Sequence, residues 1–327
     1  MTLQAHFDAF AALRQPGPFA YAWSSTHGAG TSPLHLVIGS MVHGDECGSL
    51  PGVVRVMQEL VDGTRTFAGK VTFFVGNPEA GLAGRRFLQA DLNRVFVPEP
   101  PDNHEGRRAR ELKPILDSAD VFLDLHQTIL PTAQPFWIFP FQIPGWRWAR
   151  ALGAASVWVT RHPDQNFSLE GCCADEFVRL AGKPGITLEL SQRGFGNGGE
   201  ELAYEVITRA LSIGDAVEAG GSLAELAEAK PEIAFYETAH RERFATLDHA
   251  LRPGLVNFAP VAVGDVLSAE GTPAMVAPFD GCVLFPKYPS RDAAGVYEQP
   301  LPAEIYRVIR VLDGHPLDLY GLRGQLD

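Results

Sequence analysis

His43 and Glu46 stand three residues apart in "GSMVHGDECGSLPG" (39–52), where an apolar run gives way to glycine-rich chain. A second histidine, His126, closes "VFLDLH", and an acid, Glu189, interrupts the apolar "GITLEL". Two histidines and one carboxylate are a recurrent donor set for catalytic zinc, and they leave a fourth position open for water. A His and a Glu on either side of a turn can face one point, with the third donor arriving from a distant strand. A carboxylate held in apolar chain beside such a centre suits general-base work, because burial raises its pKa. Each residue also has an ordinary reading: a loop histidine, an acid favouring a helix N-terminus, a buried hydrogen-bonded histidine, a half-exposed strand acid. The combination, at mutually consistent strand ends, brings the metal-site reading level with the ordinary one. His43, Glu46 and His126 would hold one zinc per chain, and Glu189 would be the base.

These residues must be brought together by the elements that carry them. "LHLVIGS" (34–40), "KVTFFVGNP" (70–78), "VFLDLHQT" (121–128) and "GITLELS" (185–191) read as buried strands. Helical stretches fall at 52–60, 106–119, 174–182 and 200–213. Apolar strands alternating with helices indicate an α/β fold with a mostly parallel mixed sheet flanked by helices. Ligands of open α/β sheets bind beyond the carboxyl ends of the strands. His43 with Glu46, His126 and Glu189 all fall there. So do Asn93 and Arg94 of "DLNRVF", in a loop after the second strand. Beyond residue 229 the texture changes to short β-like runs divided by glycine and proline. This divides the chain into a catalytic α/β domain, 1–228, and a small β domain, 229–327. "VGDVL" and "APFDGCVL" are faintly similar to lipoyl-type β sandwiches, but the modifiable lysine of a carrier is absent.

Composition excludes several classes. A net charge of −12 argues against a nucleic-acid partner. No apolar run reaches the length of a membrane span, and the N-terminus lacks the basic start of a signal peptide, so a cytoplasmic protein is expected. Cys47, Cys172, Cys173 and Cys282 show no CxxC spacing and read as free thiols. "GFGNGG" (194–199) satisfies GxGxxG, but no strand ending in an acid follows about 20 residues on, so it reads as a flexible connection. No GxSxG elbow and no Walker lysine occurs.

The ordered set "HGDE", "RRFLQADLNRVF", "DLHQT" and "TLEL" resembles the succinylglutamate desuccinylase and aspartoacylase family, a branch of the zinc carboxypeptidase-like fold. "LGAASVWVT" and the phrases of the C-terminal segment are similar to the desuccinylase side, and the resemblance runs from about residue 34 to 290. It implies that His43, Glu46 and His126 are zinc ligands and Glu189 the general base. It implies that Arg86 polarises the scissile carbonyl and that Asn93, Arg94 and Arg179 hold substrate carboxylates. Arg85 has no counterpart and defaults to a surface role. Asp45 stands where the commoner pattern has asparagine. Tyr288 and Tyr297 are the candidates for an aromatic that reaches the site from the C-terminal segment.

The expectation is a zinc-dependent hydrolase cleaving the amide of a small anionic N-acyl amino acid, with N-succinylglutamate favoured. An N-acetylaspartate-type deacylase, a metallocarboxypeptidase and a non-catalytic binding protein on a hydrolase fold are the alternatives. Homo-oligomers are compatible with the sequence, which does not fix the oligomeric state.

Overall fold

Polar residues inside apolar strands tell which face of the sheet carries the chemistry. In the computed structural model, which describes residues 1–14, 21–26, 34–165, 171–244, 246, 248–290 and 302–326, the strands and helices run as follows. The strands are β1 (Ala22–Thr26), β2 (His35–Ser40), β3 (Lys70–Val75), β4 (Val121–Thr128), β5 (Phe136–Trp137), β6 (Val157–Thr160), β7 (Gly185–Gln192), β8 (Ala234–Arg243), β9 (Pro260–Val261), β10 (Gly281–Leu284) and β11 (Glu304–Val311). The helices are α1 (Leu3–Leu13), α2 (Leu50–Val61), α3 (Pro78–Leu82), α4 (His104–Asp117), α5 (Ile143–Leu152), α6 (Ala174–Leu180), α7 (Gly199–Glu218), α8 (Leu223–Glu228) and α9 (Pro316–Leu319). No described helix is long and apolar enough to cross a membrane.

All strands join one mixed sheet in the order β1-β3-β2-β4-β7-β5-β6-β8-β11-β10-β9. β3, β2, β4 and β7 are mutually parallel neighbours, while β5 turns antiparallel to β7 and leads a second parallel group, β5-β6-β8. The four expected central strands are present. So are helices at each of the four expected places, each shifted by a few residues.

Side chains alternate across a strand. Leu36 and Ile38 of β2, Leu123 and Leu125 of β4, and Ile186, Leu188 and Leu190 of β7 enter the larger core, under α2, α5 and α7. Val37 and Phe122 enter the opposite core, with Leu112 of α4 and Val178 of α6. Asp124 and His126 share Phe122's face by the same period, and Thr187 and Glu189 share the equivalent face of β7. His126 and Glu189 are direct register partners. The acids that look out of place in their strands therefore line one side of the sheet, beside α6.

Two glycines make the turn after β2 fit. A Cβ on Gly44 would lie 2.3 Å from the Gly81 nitrogen, and one on Gly48 would lie 2.6 Å from the Gly194 oxygen. Neither site admits a side chain without moving backbone.

The C-terminal segment has its own small core of Leu251, Leu267, Met275, Val283, Ile305 and Val308. A further apolar cluster (Phe136, Ile138, Val157, Val159, Leu284 and Ile309) fastens it to the main sheet. β8 pairs parallel with β6 and antiparallel with β11, so the strands of both segments share one sheet. Asn257, buried, donates to the Leu130 and Pro131 carbonyls and accepts from the Phe285 N–H.

Candidate active site

Glu46 is the hub. One of its oxygens lies 2.8 Å from His43 Nδ1 and the other lies 2.9 Å from His126 Nδ1. The three residues are buried, and one ligand atom from each lies within 4.8 Å of the others. The opposite ring nitrogens face carboxylates: His43 Nε2 is 3.1 Å from Asp91, and His126 Nε2 is 3.0 Å from Asp124. A carboxylate on one imidazole nitrogen fixes the tautomer that leaves the other nitrogen as a donor atom. His43 Nδ1 is buried and, despite its closeness to Glu46, has no hydrogen-bond partner among the described residues. Converging buried donors of this kind fit a metal ion, and two nitrogens with one carboxylate suit zinc by chemistry.

The electrostatics agree. Burial works against the Glu46 carboxylate, but His43 and His126 hold its pKa well below the usual range. Burial likewise opposes charge on His126, yet Asp124 and Glu46 raise its pKa well above that of a free imidazole. Asp91, despite burial, is held low by His43 and Arg86. Carboxylates thus surround the centre and favour positive charge in it.

Glu189 sits beside this cluster with only 8% of its surface exposed, and its Oε2 has no hydrogen-bond partner among the described residues. Burial, followed by the negative charge of Glu46, pushes its pKa up to about 7, against the pull of His126, His43 and Arg86. That is the range in which a carboxylate both takes and returns a proton near neutrality.

Arg86 donates to Glu46 at 2.8 Å and approaches His43 Nε2 at 2.8 Å. It rides on the loop after α3, which Glu105 holds. That acid, fully buried in the first turn of α4, accepts from the Leu88, Gln89 and Ala90 N–H groups and from Asn77. Asp91 at the end of the loop caps the next turn by accepting from Asn93 N–H at 2.9 Å. The Asn93 side chain accepts from Ala174 N–H at the start of α6, at 2.8 Å. Arg94 donates to the Asn93 carbonyl and to Cys173 Sγ. Arg179 is paired with Asp175 one turn earlier in α6 and donates to the Gly185 carbonyl at the start of β7. These partners are structural: Asp175 belongs to the same helix, and Gly185 stands four residues before Glu189 on β7. Arg85 is exposed.

Asp45 pairs with Arg193, just past β7. The charge that departs from the commoner pattern is thereby countered by its neighbour. The same loop carries the glycine triplet. Gly194, Gly196 and Gly198 adopt positive φ, and the last caps α7, so the GxGxxG match is a turn. Gln127 ties the loop to the site. Its Oε1 accepts from Gly48 N–H at 2.6 Å, and its Nε2 donates to the Gln192 carbonyl at 2.8 Å. All four cysteines are free.

From the C-terminal segment, Tyr288 spends its hydroxyl on the Arg252 carbonyl and the Leu255 N–H. Tyr297 lies outside the described residues. Lys287 is among the groups of this segment with an electrostatic tie to the site, in its case to Arg86. It donates to Glu304, and burial, with help from the charges of Arg307 and Arg86, pushes its pKa down to about 8. Sequence reading missed Asp91, Asp124, Gln127, Arg193 and Lys287. Asp124 was open to detection, since it stands two residues before His126 and so shares its face. Lys287 carried no local signal.

The chain matches the model of the succinylglutamate desuccinylase/aspartoacylase catalytic domain over residues 34–210. Among curated proteins, the succinylglutamate desuccinylase of Pseudomonas paraeruginosa is 30% identical over 173 residues, covering 49% of this chain and 47% of the relative. The match thus spans about half the length of that relative. Succinylglutamate desuccinylase structures share the architecture at low identity. That from Vibrio cholerae has a TM-score of 0.66 at 18% identity, covering 93% of this chain and 94% of the other. That from Chromobacterium violaceum has a TM-score of 0.66 at 17% identity, covering 95% and 98%. A large mixed sheet flanked by helices, in this topology, is the zinc carboxypeptidase-like fold. With more than half of its length matching the catalytic-domain model, the chain belongs to the succinylglutamate desuccinylase/aspartoacylase family.

Proposed function

We propose that this protein is a zinc-dependent hydrolase of the amide bond of a small anionic N-acyl amino acid, with N-succinylglutamate the favoured substrate. The observation that carries the reading is Glu189, buried, elevated to a pKa of about 7 and set beside the His43–Glu46–His126 donor cluster. His43, Glu46 and His126 would hold the zinc, which when bound supplies Lewis acidity for the carbonyl and a lowered pKa for water. Glu189 takes a proton from the attacking water and returns it to the leaving amine nitrogen as the C–N bond breaks. Arg86 stabilises the oxyanion that develops on the former carbonyl oxygen. Asn93 and Arg94, with Arg179 a candidate third, orient substrate carboxylates, and arginine does this by paired hydrogen bonds. The family's curated relatives carry the name succinylglutamate desuccinylase, which supports this acyl class. The test is hydrolysis by the zinc-reconstituted protein of N-succinylglutamate, N-acetylaspartate and a short peptide panel. Turnover of the acyl amino acids is expected. Turnover of peptides alone would move the assignment to a carboxypeptidase, and zinc binding without any turnover would move it to a binding protein.

A further inference from the structure

From Ala83 to Ala90 the loop after α3 has no buried side chain, so its path depends on where its backbone hydrogen bonds go. The N–H groups of Leu88, Gln89 and Ala90 converge on one point, the Glu105 carboxylate, at 2.6, 3.1 and 3.0 Å. Successive N–H groups arranged in this way form a nest that binds an anion, and here the anion is the protein's own. The Asn77 amide adds a fourth hydrogen bond at 3.1 Å. Glu105 is fully buried in the first turn of α4, where a negative charge is favoured. Burial opposes that charge, but the Leu88 and Ala90 N–H groups, the Asn77 amide and the Gln89 N–H hold its pKa below the usual carboxylate range. With four donors on its two oxygens, this acid is built to hold backbone rather than to transfer protons.

Both ends of the gripped stretch touch the donor cluster. Upstream, the Arg86 guanidinium lies 2.8 Å from Glu46. The Arg86 carbonyl accepts from the N–H of Gly44, between His43 and Glu46, at 2.9 Å. Downstream, Asp91 lies 3.1 Å from His43 Nε2. Arg86 Nε and Asp91 are themselves 3.8 Å apart. Leu88, Gln89 and Ala90 lie between the two in the chain. Gln89 also accepts from the His104 N–H at 2.6 Å, which ties the loop to the residue before Glu105. Any shift of the nest therefore moves a guanidinium and a carboxylate that both face the metal-binding residues.

We propose that Glu105 is a positioning residue for the catalytic centre: by closing the 88–90 nest it sets Asp91 against His43 and Arg86 against Glu46. It acts through those two side chains and not on the reacting atoms. A carboxylate that orients a metal-binding imidazole is worth about 10- to 100-fold in metal affinity, so disturbing the loop that carries Asp91 forfeits part of that. A donor aimed at a developing oxyanion is worth about 10²- to 10³-fold in kcat, so tilting Arg86 forfeits part of that. The Arg86 arm rests on the acyl-amino-acid reading. The Asp91 arm needs only the donor cluster.

The test is a pair of double-mutant cycles built on E105Q, in which one oxygen becomes an NH2 that turns donors toward the N–H groups of the nest. Zinc affinity is read by chelator competition in wild type, E105Q, D91N and the double variant. E105Q should bind zinc about three- to tenfold more weakly than wild type, and it should add no further loss once Asp91 is replaced. Turnover of N-succinylglutamate at matched zinc content is read in wild type, E105Q, R86M and the double variant. E105Q should lower kcat about tenfold with KM within about threefold, and should cost less than about twofold in the R86M background. Wild-type zinc affinity in E105Q, or the same loss with and without Asp91, overturns the proposal. So does a lowered urea midpoint with zinc affinity and kcat unchanged, the mark of a purely structural acid. E105D keeps the charge and draws it back by one methylene, about 1.5 Å, and it carries both cycles if E105Q does not fold. The zinc cycle decides the proposal even if no acyl amino acid is hydrolysed. Brisk hydrolysis with E105Q like wild type in both measurements overturns it and leaves the acyl-amino-acid reading standing.

Discussion

Gln127→Glu is an isosteric change that should be costly out of proportion to its size. The wild-type amide meets the Gly48 N–H with its oxygen at 2.6 Å and gives its N–H groups to Ser191 Oγ, the Gln192 carbonyl and the Gly194 carbonyl at 3.1, 2.8 and 3.2 Å. A carboxylate keeps the first contact and loses every donor. Two carbonyls are then left facing negative charge in a site that is 2% exposed. The Gln192 carbonyl keeps Ser191 and Asn197 as donors, so the Gly194 carbonyl is the group left unpaired; at about 1–3 kcal/mol for that, plus the repulsion of both carbonyls by the new charge, the loss is about 2–4 kcal/mol. Protonation restores one O–H donor, so the introduced carboxyl has a folded pKa above its unfolded value of about 4.3. The sign follows: the folded state holds that proton more tightly. The penalty is fully present above the folded pKa and shrinks as pH falls toward the unfolded one. Equilibrium urea unfolding of metal-free wild type and variant, compared at the same pH from 7 down to 5, reads the difference directly. Removing the metal keeps ligand linkage out of the comparison. A variant within 1 kcal/mol of wild type at pH 7, or a gap that widens on acidification, would refute the reasoning.

Two further outcomes follow from the same contacts. Asp45 and Arg193 neutralise each other beside Glu46, so D45N should weaken zinc binding and R193M should strengthen it, each by about two- to fivefold, with the double variant near wild type. Competition titration against a zinc chelator measures this, and shifts of the same sign would contradict it. Tyr288 uses its hydroxyl within the C-terminal segment, at 2.7 Å from the Arg252 carbonyl, so Y288F should lower stability by about 1–2 kcal/mol with kcat/KM unchanged. Lost turnover at unchanged stability would place that aromatic in the site.

Much of the site was legible because strand period and strand ends are local properties. The acid in "GITLEL" and the histidine in "VFLDLH" each break an apolar pattern, and both proved to lie on one face, in register. Asp124 obeys the same period. What stayed hidden depends on contacts between distant segments. β5 is two residues long, too short for a period to show, yet it reverses the sheet direction and sets Phe136 opposite Glu189. β8 ends in the consecutive charges Arg241, Glu242 and Arg243, and β11 carries its charges three apart at Glu304, Arg307 and Arg310, so neither shows a strand's period of two, although their pairing brings Arg241 to Arg307. Arg193 could not be matched to Asp45 from 148 residues away. Arg179 has the spacing of a substrate ligand, but its α6 position offers Asp175 one turn away, and the helix supplies that partner.

The central claim is that Glu189 performs proton transfer beside a zinc held by His43, Glu46 and His126. Hydrolysis of N-succinylglutamate by zinc-loaded Glu189→Gln, measured against wild type at matched metal content, tests it most directly. The account predicts one zinc per chain in both proteins and a loss of about 10²- to 10⁴-fold in kcat for the variant. A zinc-loaded variant that turns over at close to the wild-type rate would contradict it.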